Sequence, residues 1–401
     1  NEKQIAEIMY RKKAMMVYSA YQGEASAEMS SIDSIKHYLK ILHPGMIAVE
    51  PNSGKIRVWI GDLDYKYFQY DQVGAPRQVG SVFKPVVYSA AIHNGAQLDA
   101  YYKNEQKTYK EYEDWTPRNS DNDYTGYYTL KGALSKSINT IAVEVLLQTG
   151  IEKTIVHARN LGIKSELPQY PSLALGSADI PLSEMILPYM CFANAGKLMT
   201  PYYLLEIRDQ SGTVLYQAPV PESKEVLPSQ EAYVMSNILS AVINEGTGRR
   251  LRTTYGLKNE LAGKTGTTQN QADGWFIGYN SRIVVGIRVG ANDRNIHFNS
   301  IRLGQGAHMA LPIFGLFMRE CLKDPAYARW ESLSFPLVPV AEQKELDTPI
   351  FQEKMNLFER IGNKKLKKRA LVHPTDTVVK KEKKGFFRKI GNLFRKKKEE
   401  E

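Results

Sequence analysis

The sequence predicts an α+β fold with a mainly antiparallel sheet, and three observations carry that reading. A two-strand hairpin pattern comes first, a long run of helical patterns follows, and strand patterns return before a closing helix. The 401 residues are 43% hydrophobic and 24% charged, an ordinary globular composition for two or three domains, or one large domain with appendages. That excludes a wholly disordered chain and a collagen-like one. No uninterrupted apolar run approaches the ~18–20 residues of a membrane span. The chain starts at Asn1 with no signal-peptide pattern, as expected of a fragment whose export signal is missing.

The elements follow in order. Residues 1–23 predict a polar, Met-rich helix from Lys3 to Ala20, and Asp33 to Leu42 a second, stopped by His43-Pro44-Gly45. Met46 to Val49 and Ile56 to Ile60 read as strands joined by the turn Pro51-Asn52-Ser53-Gly54. A Tyr-rich stretch leads to Gly80, and 81–93 predicts an apolar helix. After an irregular segment over 95–128, helical patterns occupy 129–148, 151–160, 181–195 and 229–244, with a short hairpin at 202–217. Strand patterns return at 260–266, 274–279 and 282–290, and 307–322 closes as a helix. From 331 the text is Pro-rich, then Lys-rich, and reads as linker and tail. The expected division is a helical linker segment at 1–35, a main domain at 36–330 and a tail at 331–401.

Charge excludes one function class. The net charge is +10, yet residues 363–401 alone carry 15 basic and 5 acidic residues, so the globular part is neutral and is not a nucleic-acid module. Two cysteines, Cys191 and Cys321, make no disulfide framework and sit in apolar helical patterns as expected buried thiols. The seven histidines are scattered, so no metal site is expected.

Three short segments carry candidate chemistry. In Gly80-Ser81-Val82-Phe83-Lys84-Pro85, three-residue helical spacing puts Ser81 and Lys84 on one face, where the amine can reach the hydroxyl. Pro85 fits only a helix that has just begun, which places Ser81 at a helix start. Ser137-Ile138-Asn139 offers a hydroxyl and an amide between two helical patterns, and equally a helix cap. Gly263-Lys264-Thr265-Gly266-Thr267 reads as a strand edge presenting an ammonium, two hydroxyls and, at Gly266, bare backbone open to a ligand. It is not a phosphate loop, because Lys258 stands where the first glycine is required.

In that order the three segments match the S-x-x-K, S-x-N and K-T-G set of penicillin-binding proteins and serine β-lactamases. Arg77 to Pro85, Ala262 to Thr268 and Asp273 to Tyr279 resemble segments of class A penicillin-binding proteins. So do Trp115 to Asn119, Leu173 to Ser177 and Glu245 to Gly248. The likeness spans about 36–322. It implies a DD-peptidase/β-lactamase-like fold: a five-stranded antiparallel sheet flanked by helices, with the site between the sheet edge and a helical subdomain. Val82 stands where many relatives carry a small hydroxyl residue.

The resemblance implies a transpeptidase that acts on peptidoglycan stem peptides ending in D-Ala-D-Ala and is acylated by β-lactams, without cofactor or metal. It implies a bifunctional parent with an upstream glycosyltransferase and membrane anchor, at the periplasmic face of the inner membrane. Ser81 would be the nucleophile, Lys84 its base, and Ser137 the proton relay to the leaving amine. Asn139 would hold the donor amide, Lys264, Thr265 and Thr267 the terminal carboxylate, and the N–H groups of Ser81 and Thr267 the oxyanion. Lys84 can act as base only when partly neutral, which burial and the second cation Lys264 favour. The alternatives are a carboxypeptidase, a β-lactamase, or a non-catalytic β-lactam sensor. The β-lactamase reading lacks its loop glutamate pattern, since Glu166-Leu167-Pro168-Gln169-Tyr170 does not fit E-x-x-L-N.

The tail adds one binding expectation. Phe386, Phe387, Ile390, Leu393 and Phe394 fall on one helical face with Lys/Arg opposite, a pattern suited to an anionic membrane surface through 385–398, and equally to a solvated tail or an acidic partner.

Overall fold

The computed structural model describes residues 1–219 and 221–370; the amphipathic 385–398 segment lies outside them. Helix α1 (Glu2–Tyr10) is capped by Asn1. It is followed by the hairpin β1 (Lys13–Ser19) and β2 (Gly23–Met29). The expected helix to Ala20 is thus corrected at Tyr10. In β1 Val17 and Tyr18 are buried, and Tyr18 packs edge-on against Phe68, so tertiary burial overrides a helical pattern that had little apolar stripe of its own. Helix α2 (Ser31–Leu39) starts at a Ser30–Asp33 capping box.

Strands β3 (His43–Val49) and β4 (Ile56–Ile60) open the main sheet. A 3₁₀ turn at Gly80–Phe83 leads into α3 (Lys84–His93), apolar on all sides and buried from Lys84 to Ala91. The segment expected to be irregular holds two short strands, β5 (Tyr102–Lys103) and β6 (Tyr127–Tyr128). The helix expected over 129–148 is two helices, α4 (Leu130–Lys136) and α5 (Asn139–Thr149), broken where Ser137 takes φ 59°. Helix α6 (Ser229–Asn244) buries Met235, Ile238, Leu239 and Val242, an i, i+3, i+4, i+7 stripe. Strands β7 (Ala262–Thr267), β8 (Asp273–Tyr279) and β9 (Val284–Gly290) complete the sheet, and α7 (Leu311–Lys323) closes it.

The sheet has five antiparallel strands in the order β7-β8-β9-β3-β4. Successive side chains serve opposite faces. Ile47, Val49, Trp275, Ile277 and Tyr279 enter the larger core with α3, α5 and α6, while Met46, Ala48, Phe276 and Ile287 meet Phe314 and Met318 of α7 in the smaller. Helices on both faces explain why β8 and β9 are buried end to end and read as continuous apolar runs. Strand β7 is left as one edge and β4 as the other.

Of the residues expected as linker and tail, those described, to 370, are corrected to packed structure. Leu346 and Met355 are buried, and β10 (Phe351–Gln352) pairs with β6 ahead of helix α8 (Leu357–Ala370). Pro336, Pro339 and Pro349 suit this route because each removes an N–H that an unpaired extended stretch would leave without a partner. Cys191 is buried as expected, whereas Cys321 is only half-buried.

Candidate active site

Three segments distant in sequence converge on one hydroxyl. Lys84 Nζ donates to Ser137 O at 2.6 Å, to Asn139 Oδ1 at 2.6 Å and to Ser137 Oγ at 3.2 Å. Lys264 Nζ donates to the same Ser137 Oγ at 2.9 Å and to Thr265 O at 2.9 Å. Ser137 is therefore held between two lysines, both fully buried. Its left-handed backbone, at φ 59°, is what turns both its carbonyl and its hydroxyl towards them. Ser137 is also the C-cap of α4, so the reading of this position as a helix cap holds alongside its contacts with the two lysines.

Burial sets the lysine chemistry. Desolvation, and secondarily the neighbouring Lys264 charge, hold the Lys84 amine well below its ordinary value. Desolvation brings Lys264 down to about 7. Lys264 is thus available in part as a neutral amine near neutral pH, which a lysine in water is not, and Lys84 is shifted in the same direction.

Ser81 lies in the 3₁₀ turn, half-buried, one turn ahead of the α-helix proper. Among the described residues its hydroxyl makes no hydrogen bond, the expected one with Lys84 included. The turn is braced from two sides. Gly80, at φ 56°, donates its N–H to Gly176 O at 3.0 Å. A Cβ on Gly80 would come within 2.6 Å of Thr267 O, so the turn that carries Ser81 lies directly against the edge strand β7. Gly266 is required by the same approach, since its Cβ would meet Val82 Cγ1 at 2.9 Å. Packing against the buried Val82 thus joins ligand approach as a reason for that glycine. Thr265 shares a 2.6 Å hydroxyl hydrogen bond with Thr247, and Thr267 Oγ1 accepts the Gly306 N–H at 3.2 Å.

Asn139 opens α5 and has both ends of its amide engaged, Oδ1 with Lys84 and Nδ2 donating to Arg118 O at 2.7 Å. Behind it stands the buried Asn119, whose Oδ1 accepts the N–H groups of Asn139 at 2.9 Å and Thr140 at 3.1 Å. Asn119, Gly176 and Thr247 received no individual role from the sequence, although each falls in a segment that carried the resemblance. No spacing rule could pair Asn119 with Asn139 or Thr247 with Thr265. Among the described residues, no cluster of three or more His, Cys, Asp or Glu side chains could hold a metal.

The penicillin-binding protein transpeptidase domain model matches residues 45–293. The chain is 36% identical over 285 residues to penicillin-binding protein 1A of Aquifex aeolicus, covering 69% of this chain and 38% of that protein. It is 33% identical over 333 residues to penicillin-binding protein 1A of Pseudomonas aeruginosa, covering 70% and 40%. It thus spans about two fifths of the length of these relatives. Its fold is similar to that of penicillin-binding protein 1A from Haemophilus influenzae, with TM-score 0.68 and 22% identity over 81% of this chain and 52% of that one. It is also similar to PonA1 of Mycobacterium tuberculosis in complex with penicillin V, with TM-score 0.61 and 19% identity over 80% and 88%. On the match over residues 45–293 and the fold that carries it, the chain belongs to the penicillin-binding protein transpeptidase domain family.

Proposed function

We propose that this chain is a serine DD-transpeptidase that cross-links peptidoglycan stem peptides through an acyl-enzyme on Ser81. The observation that carries the reading is the desolvated Lys84 amine, bonded to Ser137 and Asn139 one turn from Ser81, with Lys264 on the far side of Ser137. Ser81 Oγ attacks the penultimate D-Ala carbonyl, and Lys84 in its neutral form takes the hydroxyl proton after the side chains close the gap between them. Ser137, already in contact with both lysines, passes a proton to the departing D-Ala amine. The N–H groups of Ser81 and Thr267 stabilise the oxyanion, a contribution of about 10²–10³ in rate in other enzymes. Asn139 aligns the donor amide. Lys264, Thr265 and Thr267 receive the terminal carboxylate, with Gly266 keeping the strand close to the nucleophile turn. An amine from a second stem peptide then takes the acyl group.

The domain is 36–330, continued by the packed segment to 370. It belongs to a longer bifunctional protein, with a glycosyltransferase and an anchor upstream, on the extracytoplasmic face of the inner membrane. The greater length of the matched relatives supports this reading. Among the described residues no helix is long and apolar enough to cross a membrane. The basic 385–398 segment contacts anionic lipid, each basic residue contributing about 1 kcal/mol near such a surface. Co-sedimentation of the 385–401 peptide with anionic but not neutral vesicles, abolished by salt, is the expected result. Equal, negligible binding to both ends the lipid reading.

Time-resolved mass spectrometry with a fluorescent penicillin tests the enzyme assignment. A stoichiometric adduct on Ser81 that is slowly released supports the transpeptidase. Fast turnover of the adduct identifies a β-lactamase instead, and no adduct a sensor module. Glu166 is exposed on its loop, so the structure gives the lactamase reading no deacylating carboxylate at that position.

A further inference from the structure

The segment that follows the closing helix lies outside the family-matched residues 45–293, yet it is tied to the catalytic side of the molecule at three places. First, β10 pairs with β6, and Ile350 O accepts the N–H of Thr129 at 3.2 Å. Thr129 is the N-cap of α4, the helix that ends at Ser137. The fit is close: a Cβ on Gly132, in the first turn of α4, would overlap Ile350 O.

Second, the Asn363 side-chain amide imitates a strand partner for Tyr101. Its Oδ1 accepts the Tyr101 N–H at 2.6 Å and its Nδ2 donates to Tyr101 O at 2.6 Å, while Tyr101 OH donates to Pro349 O at 2.6 Å. Tyr101 leads into β5 and then to Asn104. Asn104 Oδ1 accepts from Asn119 Nδ2 at 2.8 Å and from Thr140 Oγ1 at 2.8 Å. Asn119 in turn holds the N–H groups of Asn139 and Thr140.

Third, Lys367 Nζ lies 3.0 Å from Glu144 Oε1 and 3.8 Å from the centre of the Tyr102 ring. Glu144 belongs to α5, the helix that Asn139 opens. The three attachments therefore bracket one turn: α4 before it, α5 after it, and the asparagine pair beneath it. Besides them, the turn is held by the lysine hydrogen bonds and by its own helix-end bonds, Ser137 N–H to Leu134 O at 3.1 Å and Ile138 N–H to Ala133 O at 3.0 Å, so the strap adds support from outside the turn to a left-handed backbone.

We propose that residues 340–367 form a strap that positions the Ser137–Asn139 turn for acyl transfer, with Asn363 and Lys367 as its positioning residues. The proposal rests on the transpeptidase reading for its catalytic consequence, but not for its mechanical one.

The test uses the full chain carrying Asn363→Ala, Lys367→Met or Lys367→Arg, with two readouts. Amide hydrogen exchange over 129–142 is expected to accelerate several-fold in the first two variants and to return towards wild type in Lys367→Arg, which keeps the charge opposite Glu144. The rate of fluorescent-penicillin acylation at saturating ligand should fall several-fold with little change in the half-saturating concentration, since a mispositioned turn affects the chemical step more than binding. Exchange changes confined to 340–370, together with a wild-type saturating rate, would overturn the proposal even if the melting temperature fell. If Asn363→Ala fails to fold, Lys367→Met at the far end of the strap decides. If wild-type protein takes no penicillin, the transpeptidase reading fails and the exchange readout still decides the strap.

Discussion

Lys264 is placed where water cannot reach it, and that placement has a sign in pH. Its folded value of about 7 lies well below that of an exposed lysine, so between pH 7 and about 10.5 the unfolded chain binds more protons than the folded one. Stability is therefore lowest below pH 7 on account of this group and is regained as pH rises through that window. Lys264→Met should melt higher than wild type at pH 7, with the difference shrinking towards pH 10, as measured by denaturant titration at each pH. A constant difference across the window would mean that the ammonium is not desolvated. Lys84 shifts in the same direction, with Lys264 as a second cause, so the two lysines should separate in kinetics. Lys84→Ala is expected to slow acylation at saturating penicillin, and Lys264→Ala to raise the half-saturating concentration as well. Indistinguishable saturation curves would refute that division. Ser81→Ala should remove the penicillin adduct with the melt nearly unchanged, because a half-buried hydroxyl that makes no hydrogen bond among the described residues leaves no partner there stranded.

At the scale of elements, the break between α4 and α5 carries a local backbone cost at Ser137. A serine at φ 59° is disfavoured by roughly 1–2 kcal/mol relative to glycine. Ser137→Gly should therefore hold or raise the melting temperature, while Ser137→Ala lowers it, and both should slow acylation. Loss of stability in Ser137→Gly would show that the hydroxyl between the lysines contributes more than the strain costs. Gly176 makes the complementary case, since a Cβ there would overlap Gly80 O and its φ is +72°. The three motifs were legible from sequence because each is a short run of polar and small residues on a predictable element. Ser137 was named through its motif, but neither its dihedral nor its contacts with both lysines follow from spacing. The reading of Lys3 to Ala20 as one helix and of 331–370 as linker failed for a related reason. Val17, Tyr18, Leu346 and Met355 are buried by residues far away in the chain, and local periodicity carries no information about them.

Across the whole molecule, one buried ion pair joins the sheet to the chain ahead of the nucleophile. Arg288 on β9 pairs with Asp273 on β8 and donates to Gln72 Oε1 at 2.6 Å, and Arg77 NH2 donates to Asn292 O at 2.9 Å. Removing one member leaves the other charge buried without compensation, which costs about 3–5 kcal/mol. Asp273→Ala should lower unfolding free energy by about that amount, and Asp273→Leu combined with Arg288→Met by much less, read from urea denaturation. Equal losses in the two proteins would mean that packing, and not the unpaired charge, sets the cost. Sequence by itself determined the α+β class, the edge strand with its Lys264-Thr265-Gly266-Thr267 face and the order of the three motifs, because periodicity and short-range chemistry are local properties. Tertiary structure alone decided that Ser137 lies between two desolvated lysines, that Asn119 supports Asn139, and that residues 340–367 close over the helices flanking that turn. Each of those depends on burial and contact between segments far apart in the chain, which arise only once the chain has packed.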